Sequence, residues 1–262
     1  SFINSFLTAL YIVAVALLLT LQINLSSQVN DKKNITIGVV LDGKWEGDSD
    51  ALSILKTEIN FLLSEEYNVI IPGTKILSGE WNYQHIKSSI QNLLNDKETD
   101  IILAIGENVS RIVESIKEIN KPVIALFVLD PNLEDVSGAG LTNQKNLNKI
   151  LLTPALAQQI NSFKTLYDFN KAAVLLGELS FYNSENNFDE NIFKKKTVSG
   201  VELSFYPAGY DIDITVNRIP DDAQIIISEP LRFRGYDQFN LLTKKLSARN
   251  LPVFTVFDEK YV

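Results

Sequence analysis

Acidic residues follow short apolar runs at six places along this sequence. Each acid stands directly after its run or one residue beyond it, at Asp42, Glu107, Asp130, Glu178, Glu229 and Asp258. Aromatic residues stand nearby in the sequence at Trp45, Phe181, Tyr182 and Phe233. Carboxylates accept hydrogen bonds and offset positive charge, so this set favours recognition of a solute that carries an amine or several hydroxyl groups.

Each acid also has a structural explanation, because an acid near a helix N-terminus stabilises the helix by about 0.3–1 kcal/mol without any ligand. For the whole set this explanation is weaker, since like charges gathered around one cleft repel each other unless something compensates. The segment TDIILAIGENVSRIVESI, residues 99–116, shows the arrangement best. At Gly106-Glu107-Asn108 the predicted strand turns into a helix. Gly106 lets a ligand approach the backbone closely, Glu107 supplies a carboxylate, and the new helix offers its N-terminus. These features suit ligand recognition rather than bond breaking.

The sequence lacks catalytic and metal-binding patterns. His85 is the only histidine, no cysteine occurs, and no G-x-S-x-G nucleophile motif is present. The stretch GVVLDGKW, residues 38–45, fits G-x-x-x-x-G-K, but Trp45 stands where a phosphate-binding loop needs a hydroxyl for magnesium. We therefore expect a protein that is not an enzyme, without catalytic residues, cofactor or metal site.

The chain has 262 residues and a formal net charge of −8, which argues against a nucleic-acid partner. It contains no methionine, not even at position 1, so we interpret it as part of a longer protein. Residues 6–23 read FLTALYIVAVALLLTLQI without a charge, which favours an N-terminal membrane anchor. A cleaved signal peptide is the alternative, although no small-residue cleavage site precedes Ser26 or Ser27.

After a polar linker, short apolar runs alternate with segments of helical periodicity, which predicts parallel sheets with right-handed crossovers. The predicted strands are residues 35–41, 68–71, 100–105, 123–129, 172–176, 201–205, 224–228 and 253–257, with a shorter one at 138–141. Apolar residues recur at helical spacing from Leu52, Tyr83 and Val109. They recur again after Thr153-Pro154, a good helix start.

The alternation of predicted strands and helices is interrupted at residues 142–152, which read TNQKNLNKILL and lack strand character. We therefore predict an apolar helix and linker at residues 1–33, a first α/β lobe at 34–150 and a second at 151–262. The pattern of Ile212, Ile214 and Val216 fits either a strand or a helix. Only a few residues follow the last predicted strand, so we expect the second lobe to be truncated.

In order, the segments TDIILAIGEN, KPVIALFVLDPN, SGAGLTN, KAAVLLGE, IIISEPLRF and LPVFTVFDEKYV resemble the type I periplasmic solute-binding proteins of ABC transporters. The resemblance covers residues 34–262. It implies two Rossmann-like, flavodoxin-like lobes joined by a hinge, with a small ligand between them. Transferred by position, it implies a ligand site formed by Asp42, Trp45, Gly106, Glu107, Asn108, Asp130, Glu178, Tyr182, Glu229 and Asp258.

The resemblance also implies a periplasmic or extracytoplasmic protein that delivers a small solute to the membrane permease of an ABC transporter. An anchor at residues 6–23 would hold it at the inner membrane, whereas family members are cleaved or attached through a lipidated cysteine. The alternative function is the ligand-sensing extracytoplasmic region of a membrane-anchored receptor, which an uncleaved anchor favours. An α/β enzyme is a third interpretation, and it lacks an assembled nucleophile–base pair.

Overall fold

The computed structural model describes residues 32–44, 48–128, 145–151, 156–182, 187–193, 195–209, 211–229, 231 and 236–255. These residues form two compact units. The N-terminal unit consists of the described residues up to 128 together with 145–151, and the C-terminal unit consists of those from 156 onward.

The N-terminal unit contains a parallel sheet with the strand order β2-β1-β4-β5-β6, and the short β3 pairs with the last residues of β1. Its strands are β1 (Lys33–Leu41), β2 (Tyr67–Ile70), β3 (Ile76–Ser78), β4 (Ile101–Ile105), β5 (Val123–Val128) and β6 (Leu147–Leu151). Its helices are α1 (Asp48–Leu63), α2 (Tyr83–Asn95) and α3 (Glu107–Glu114), with a 3-10 turn at Gly73–Lys75.

Helices cover β1 on both faces, as its continuous apolar run predicts. On one face, Ile37 packs in a core cluster with Leu55 and Ile59 of α1. On the other face, a Cβ at Gly38 would lie 2.7 Å from a Cδ atom of Leu93 of α2, so the absence of a side chain at Gly38 lets Leu93 pack directly on the strand. Gly38 of the GVVLDGKW stretch therefore serves helix packing inside a strand.

The C-terminal unit contains a second sheet with the strand order β11-β10-β7-β9-β8. Its strands are β7 (Lys171–Gly177), β8 (Lys196–Val198), β9 (Val201–Ala208), β10 (Ile225–Ser228) and β11 (Val253–Phe254). All neighbours are parallel except β8, which pairs antiparallel with β9 through a tight turn at Ser199-Gly200. The helices are α4 (Leu156–Lys164), α5 (Ile212–Arg218) and α6 (Tyr236–Ala248), with a 3-10 turn at Glu178–Phe181.

The predicted fold class, an α/β protein with parallel sheets, is confirmed, and the pattern at Ile212, Ile214 and Val216 is resolved as a helix. Asp211 caps α5, because its Oδ1 accepts a hydrogen bond from the Ile214 amide at 3.0 Å. Ile212 and Val216, four residues apart, are buried on one face of this helix, whereas Ile214 is exposed on another face.

The prediction that residues 142–152 lack strand character is wrong for β6. Leu147–Leu151 pairs in parallel with β5 at the edge of the N-terminal sheet. Lys149 forms an ion pair with Glu114 of α3, with 2.6 Å between Nζ and Oε1. The lysine interrupts the apolar run by which strands are predicted from sequence, so β6 was not predicted. Edge strands commonly carry a charged residue of this kind. The short strands β3 and β8 were also not predicted.

Several predicted features lie outside the described residues. These are the apolar segment 6–23, the strand at 138–141 and the helix start at Thr153-Pro154. Within the described ranges, no helix has the length and apolar character that a membrane crossing requires. The lobe boundaries at residues 34, 150 and 151 stay predictions.

Candidate solute-binding site

Parallel pairing brings the carboxyl ends of β1 and β4 together in the N-terminal unit. Leu41 is paired with Ile105, so the next residues, Asp42 and Gly106, are neighbours at the sheet edge. The Asp42 amide continues this contact by donating to the Ile105 carbonyl at 3.3 Å. Ligands of parallel α/β sheets bind at such carboxyl ends. Two of the predicted ligand loops therefore adjoin each other.

The Asp42 side chain caps helix α3 from the neighbouring strand end. Its Oδ1 accepts a hydrogen bond from the Val109 amide at 2.6 Å, and its Oδ2 accepts from the Asn108 amide at 3.1 Å and from Asn108 Nδ2 at 3.0 Å. The residue at the N-cap position is Gly106, which has no side chain to do this. Asp42 thus satisfies helix amides that a Ser or Asp N-cap usually serves.

Burial sets the protonation of this carboxylate. Asp42 is only 5% exposed, and loss of hydration raises its pKa to about 6. The three hydrogen bonds from Asn108 and Val109 stabilise the charged form and oppose this rise in pKa without cancelling it. The Asp42 carboxylate therefore titrates close to neutral pH in the folded protein.

Gly106 is required by its own backbone and by the position of Asp42. Its φ of 133° lies in a region that side chains other than glycine rarely adopt. A Cβ there would lie 2.4 Å from Cγ of Asp42. The same residue therefore lets β4 turn sharply into α3 and leaves room for the capping carboxylate.

Trp81, which lies between β3 and α2, joins the same sheet edge. Its amide donates to the Asp42 carbonyl at 2.7 Å, and its Nε1 donates to the Lys44 carbonyl at 3.1 Å. A Cβ at Gly43 would lie 2.0 Å from the indole, so the ring rests directly on that glycine. Asp42 thus contacts both neighbouring loops, one through its backbone and one through its side chain.

In the C-terminal unit, the carboxyl ends of β10 and β7 are adjacent. Ser228 pairs with Leu175, and the Glu229 amide donates to the Leu175 carbonyl at 3.2 Å. Glu229 is 2% exposed, whereas Glu178, which follows β7, is exposed. A Cβ at Gly209, just after β9, would lie 3.0 Å from Glu178 Oε2. The acids after β7 and β10 thus occupy neighbouring strand ends in this unit.

Aromatic side chains cluster beside the 3-10 turn that follows β7. Tyr182 is half-buried, with its ring 5.6 Å from that of Phe188, and these two residues form an isolated antiparallel bridge. Phe181 is fully buried, and its ring meets Phe193 edge-on at 5.1 Å. Phe188 keeps 37% of its surface exposed. The C-terminal unit therefore presents aromatic surface next to Glu178.

The structure places seven of the ten predicted site residues. Four lie at the edge of the N-terminal sheet, namely Asp42, Gly106, Glu107 and Asn108, and three lie at the edge of the C-terminal sheet, namely Glu178, Tyr182 and Glu229. Trp45, Asp130 and Asp258 lie outside the described residues. Among the described residues, no group of three or more histidines and acids is placed to hold a metal ion.

Sequence reasoning missed Trp81. The strand β3 before it is only three residues long, so no strand end was expected there. A signal was present in the Ser78–Asn82 stretch, where glycine and polar residues precede a helical pattern and Asn82 caps α2 by accepting from Gln84 and His85 amides.

The chain shares its fold with several solved binding proteins. An ABC domain from Streptococcus pneumoniae in complex with L-Trp matches with a TM-score of 0.52 and 16% identity over 87% of this chain and 76% of that one. A periplasmic binding protein type 1 from Bordetella pertussis Tohama I matches with a TM-score of 0.54 and 14% identity, covering 86% and 62%.

A solute-binding protein of an ABC transporter from R. palustris, in complex with 4-hydroxybenzoate, matches with a TM-score of 0.50 and 14% identity, covering 85% of this chain and 61% of that one. This chain spans less than two thirds of that protein and of the Bordetella one. No protein-family model and no curated protein matches the chain. The structural likeness thus confirms the fold that the resemblance implied, which is that of type I periplasmic binding proteins.

Proposed function

We propose that this protein binds a small solute outside the cytoplasm and delivers it to the membrane permease of an ABC transporter. The observation that carries the proposal is the placement of polar groups at the carboxyl edges of two parallel sheets, in a fold shared with solute-binding proteins. Asp42, Glu107 and Asn108 lie at one edge, and Glu178 and Glu229 lie at the other. The cleft between two lobes that the family resemblance implies stays a prediction.

The chemistry of these edges favours a solute that carries an amine or several hydroxyl groups. A carboxylate accepts hydrogen bonds only, so acids select donors, and bonds to a charged acceptor are stronger than neutral ones. Glu107 is half-buried and Glu178 is exposed, so both residues keep accessible surface at their sheet edges. The net charge of −8 also attracts cationic solutes over anionic ones.

A thermal-shift screen of the purified full chain tests this function. The screen compares amino acids, amines, sugars and purines at increasing concentration. A solute that binds only the folded state stabilises it by about 2.7 kcal/mol at a hundredfold excess over its dissociation constant. We expect at least one amine or polyol to raise Tm with concentration, and a screen in which no solute does so contradicts solute binding.

Two charge-neutralising variants locate the binding in that screen. Glu178→Gln removes a carboxylate at the edge of the C-terminal sheet. Glu202→Gln removes one from β9, where Glu202 is paired with Lys195 at 3.1 Å. We expect Glu178→Gln to weaken the response to a cationic solute and Glu202→Gln to leave it unchanged. Equal responses of both variants would place the solute elsewhere.

A ligand-sensing region of a membrane-anchored receptor is the second candidate function, favoured by the uncharged segment at residues 6–23. Both functions use the same binding chemistry, so a binding assay does not separate them. The genes and domains encoded next to this chain separate the two functions. A permease and an ATPase encoded beside this chain support transport, whereas a kinase or cyclase domain in the same polypeptide supports sensing.

A further inference from the structure

Trp81 occupies a conformation that the local sequence does not require. Glu80 and Trp81 both lie in the left-handed region, with φ values of 51° and 54°. That region is unfavourable for side chains other than glycine, and most of all for bulky ones. The start of α2 does not need the tryptophan, because Asn82 supplies the capping oxygen. A strained, half-buried tryptophan at a sheet edge therefore calls for another explanation.

One side-chain hydrogen bond, one backbone hydrogen bond and a close contact with Gly43 hold Trp81 in place. Its Nε1 donates to the Lys44 carbonyl, its backbone amide donates to the Asp42 carbonyl, and Gly43 has no side chain to push the ring away. The ring is consequently oriented before any ligand arrives. A pre-oriented aromatic face costs little entropy when a ligand stacks on it, which favours binding.

Asn108, bonded to the Asp42 side chain, presents an acceptor at the same sheet edge, where the Asp42 carbonyl accepts a hydrogen bond from the Trp81 amide. The Asp42 carboxylate only accepts hydrogen bonds, so the Asn108 amide must turn its Nδ2 toward it, and Oδ1 points to the other side. Among the described residues, none donates a hydrogen bond to Asn108 Oδ1. Asn108 is half-buried, as Trp81 is, so both residues keep some accessible surface.

Resting on the proposed function, we propose that Trp81 and Asn108 form the solute-contacting surface of the N-terminal unit and select a molecule that combines a planar ring with a hydrogen-bond donor such as an ammonium group. Trp81 stacks on the ring, and aromatic faces also attract cations. Asn108 Oδ1 accepts from the donor, and the Glu107 carboxylate beside it offsets the positive charge. Asp42 is the positioning residue, since it orients both loops.

Three probes separate the two parts of this recognition. 2-Phenylethylamine carries a ring and an ammonium group, n-butylamine carries only the ammonium group, and phenylacetate carries a ring without it. The chain has two tryptophans, so the fluorescence change that the parent shows and Trp81→Phe lacks is assigned to Trp81. We expect 2-phenylethylamine to change the Trp81 fluorescence in a saturable way and to bind most tightly. Equal binding of n-butylamine, or no saturable change with any probe, overturns the proposal.

Variants measured by calorimetry complete the test. We expect Trp81→Ala to weaken 2-phenylethylamine roughly tenfold and Trp81→Phe, which keeps a ring, to stay within a few-fold of the parent. Asn108→Leu keeps the backbone amides on Asp42 and removes the acceptor, so it should also weaken this probe. Phe61→Ala is the control, because this aromatic of the same unit is 76% exposed on α1 and should leave affinity unchanged.

Two results would distinguish failure of this inference from failure of the proposed function. If another solute stabilises the protein in the thermal-shift screen and Trp81→Ala binds it as tightly as the parent does, solute binding stands and the role of Trp81 is wrong. If Trp81→Ala lowers Tm without changing the affinity for 2-phenylethylamine, Trp81 is only a packing residue. Loss of affinity in Trp81→Ala together with its retention in Trp81→Phe supports the inference.

Discussion

The Asp42 carboxylate receives three hydrogen bonds from α3 while its backbone carbonyl receives one from Trp81. One residue at the end of β1 therefore links the loops that follow β3 and β4. Glu107 has a different environment, since it occupies the first position of α3 and is half-buried. Of these two acids at one corner, Asp42 serves the fold directly, and Glu107 is the better candidate for charge recognition.

Glu107→Gln tests this assignment, because glutamine keeps the shape and removes the charge. We expect weaker binding of a cationic solute by roughly 1.5–3 kcal/mol, the scale of a hydrogen bond to a charged group. The free energy of unfolding should change little, and calorimetric titration with chemical denaturation measures both quantities. Unchanged affinity with a clear loss of stability would make Glu107 a helix-start residue and nothing more.

Gly106→Ala tests the tightness of the same corner. The new Cβ would meet the Asp42 carboxylate at 2.4 Å, and alanine disfavours a φ of 133°. We expect a loss of about 3 kcal/mol or more in the free energy of unfolding, from backbone strain and a displaced cap together. Urea denaturation measures it.

Gly177→Ala is the matched control for that experiment, since Gly177 also ends a strand. It has a φ of −55°, and no atom lies within 4 Å of its would-be Cβ. We expect a change within about 0.5 kcal/mol, as for an unconstrained surface position. Equal losses in the two variants would contradict the steric explanation.

At the scale of elements, the edge strand β6 shows how the sheet accommodates a polar segment. Lys149 lies on this strand with 20% of its side chain exposed, and its partner Glu114 on α3 keeps 11%. Charges buried this far need a partner, because the interior replaces their hydration poorly. The ion pair therefore joins the last strand of the N-terminal sheet to the helix that begins at the candidate site.

Lys149→Met tests whether this largely buried ion pair contributes more to stability than a surface ion pair does. Removing the lysine takes a positive charge away from the largely buried Glu114 carboxylate, so we expect a loss of about 2 kcal/mol in stability. Adding Glu114→Gln to the same chain should recover part of it. Lys171→Met is the control, because the Lys171–Asp222 pair is 43% and 64% exposed and should contribute less than about 1 kcal/mol. Equal losses from both single variants would contradict the role of burial.

At the scale of the whole molecule, two carboxylates make opposite contributions to the dependence of stability on pH. The pKa of Asp42 is raised by burial from 3.8 to about 6, so its folded form binds a proton more readily than the unfolded chain does. The pKa of Asp96 is lowered below 3.8, chiefly by hydrogen bonds from Lys75 and Thr99. Stability from Asp96 is thus present above the unfolded pKa and is lost as pH falls below it.

Stability should therefore rise as pH is lowered from 7 to 5 and fall below about 4. The Asp42 contribution decreases by up to about 3 kcal/mol in total as pH rises from its unfolded pKa of 3.8 to its folded pKa of about 6, and roughly half of this decrease falls between pH 5 and 7. Urea unfolding at several pH values measures both limbs. Asp42→Asn should flatten the limb between pH 5 and 7, and Asp96→Asn should flatten the acid limb. An unchanged neutral limb in Asp42→Asn would contradict the raised pKa.

The segment at residues 6–23 leads to a prediction for the full chain. If it anchors the protein, the full chain should sediment with membranes and resist alkaline carbonate extraction, because an apolar helix of this length is costly to withdraw from a bilayer. A version starting at Asn30 should stay in the supernatant. Recovery of the full chain in the supernatant with its N-terminus intact would rule out the anchor.

The sequence alone determined the fold class and the positions of the main strand ends. β1, β4 and β7 are covered on both faces, so their segments must be continuous apolar runs, and such runs are visible without coordinates. The glycine-acid corner at Gly106-Glu107 followed from the same reasoning, since a strand that becomes a helix must break its periodicity there. The edge strand β6 could not be predicted from the sequence, because Lys149 interrupts its apolar pattern and forms an ion pair with a residue distant in sequence.

The tertiary structure alone decided what each side chain at the edges contacts. Asp42 and Asn108 are 66 residues apart in sequence, and only the parallel pairing of β1 with β4 brings them within hydrogen-bonding distance. Trp81 reaches Lys44 through the equally non-local pairing of β3 with β1. Periodicity reports whether a residue is buried in its own element, whereas partners, burial of a charge and a shifted pKa depend on neighbours that the order of residues does not specify.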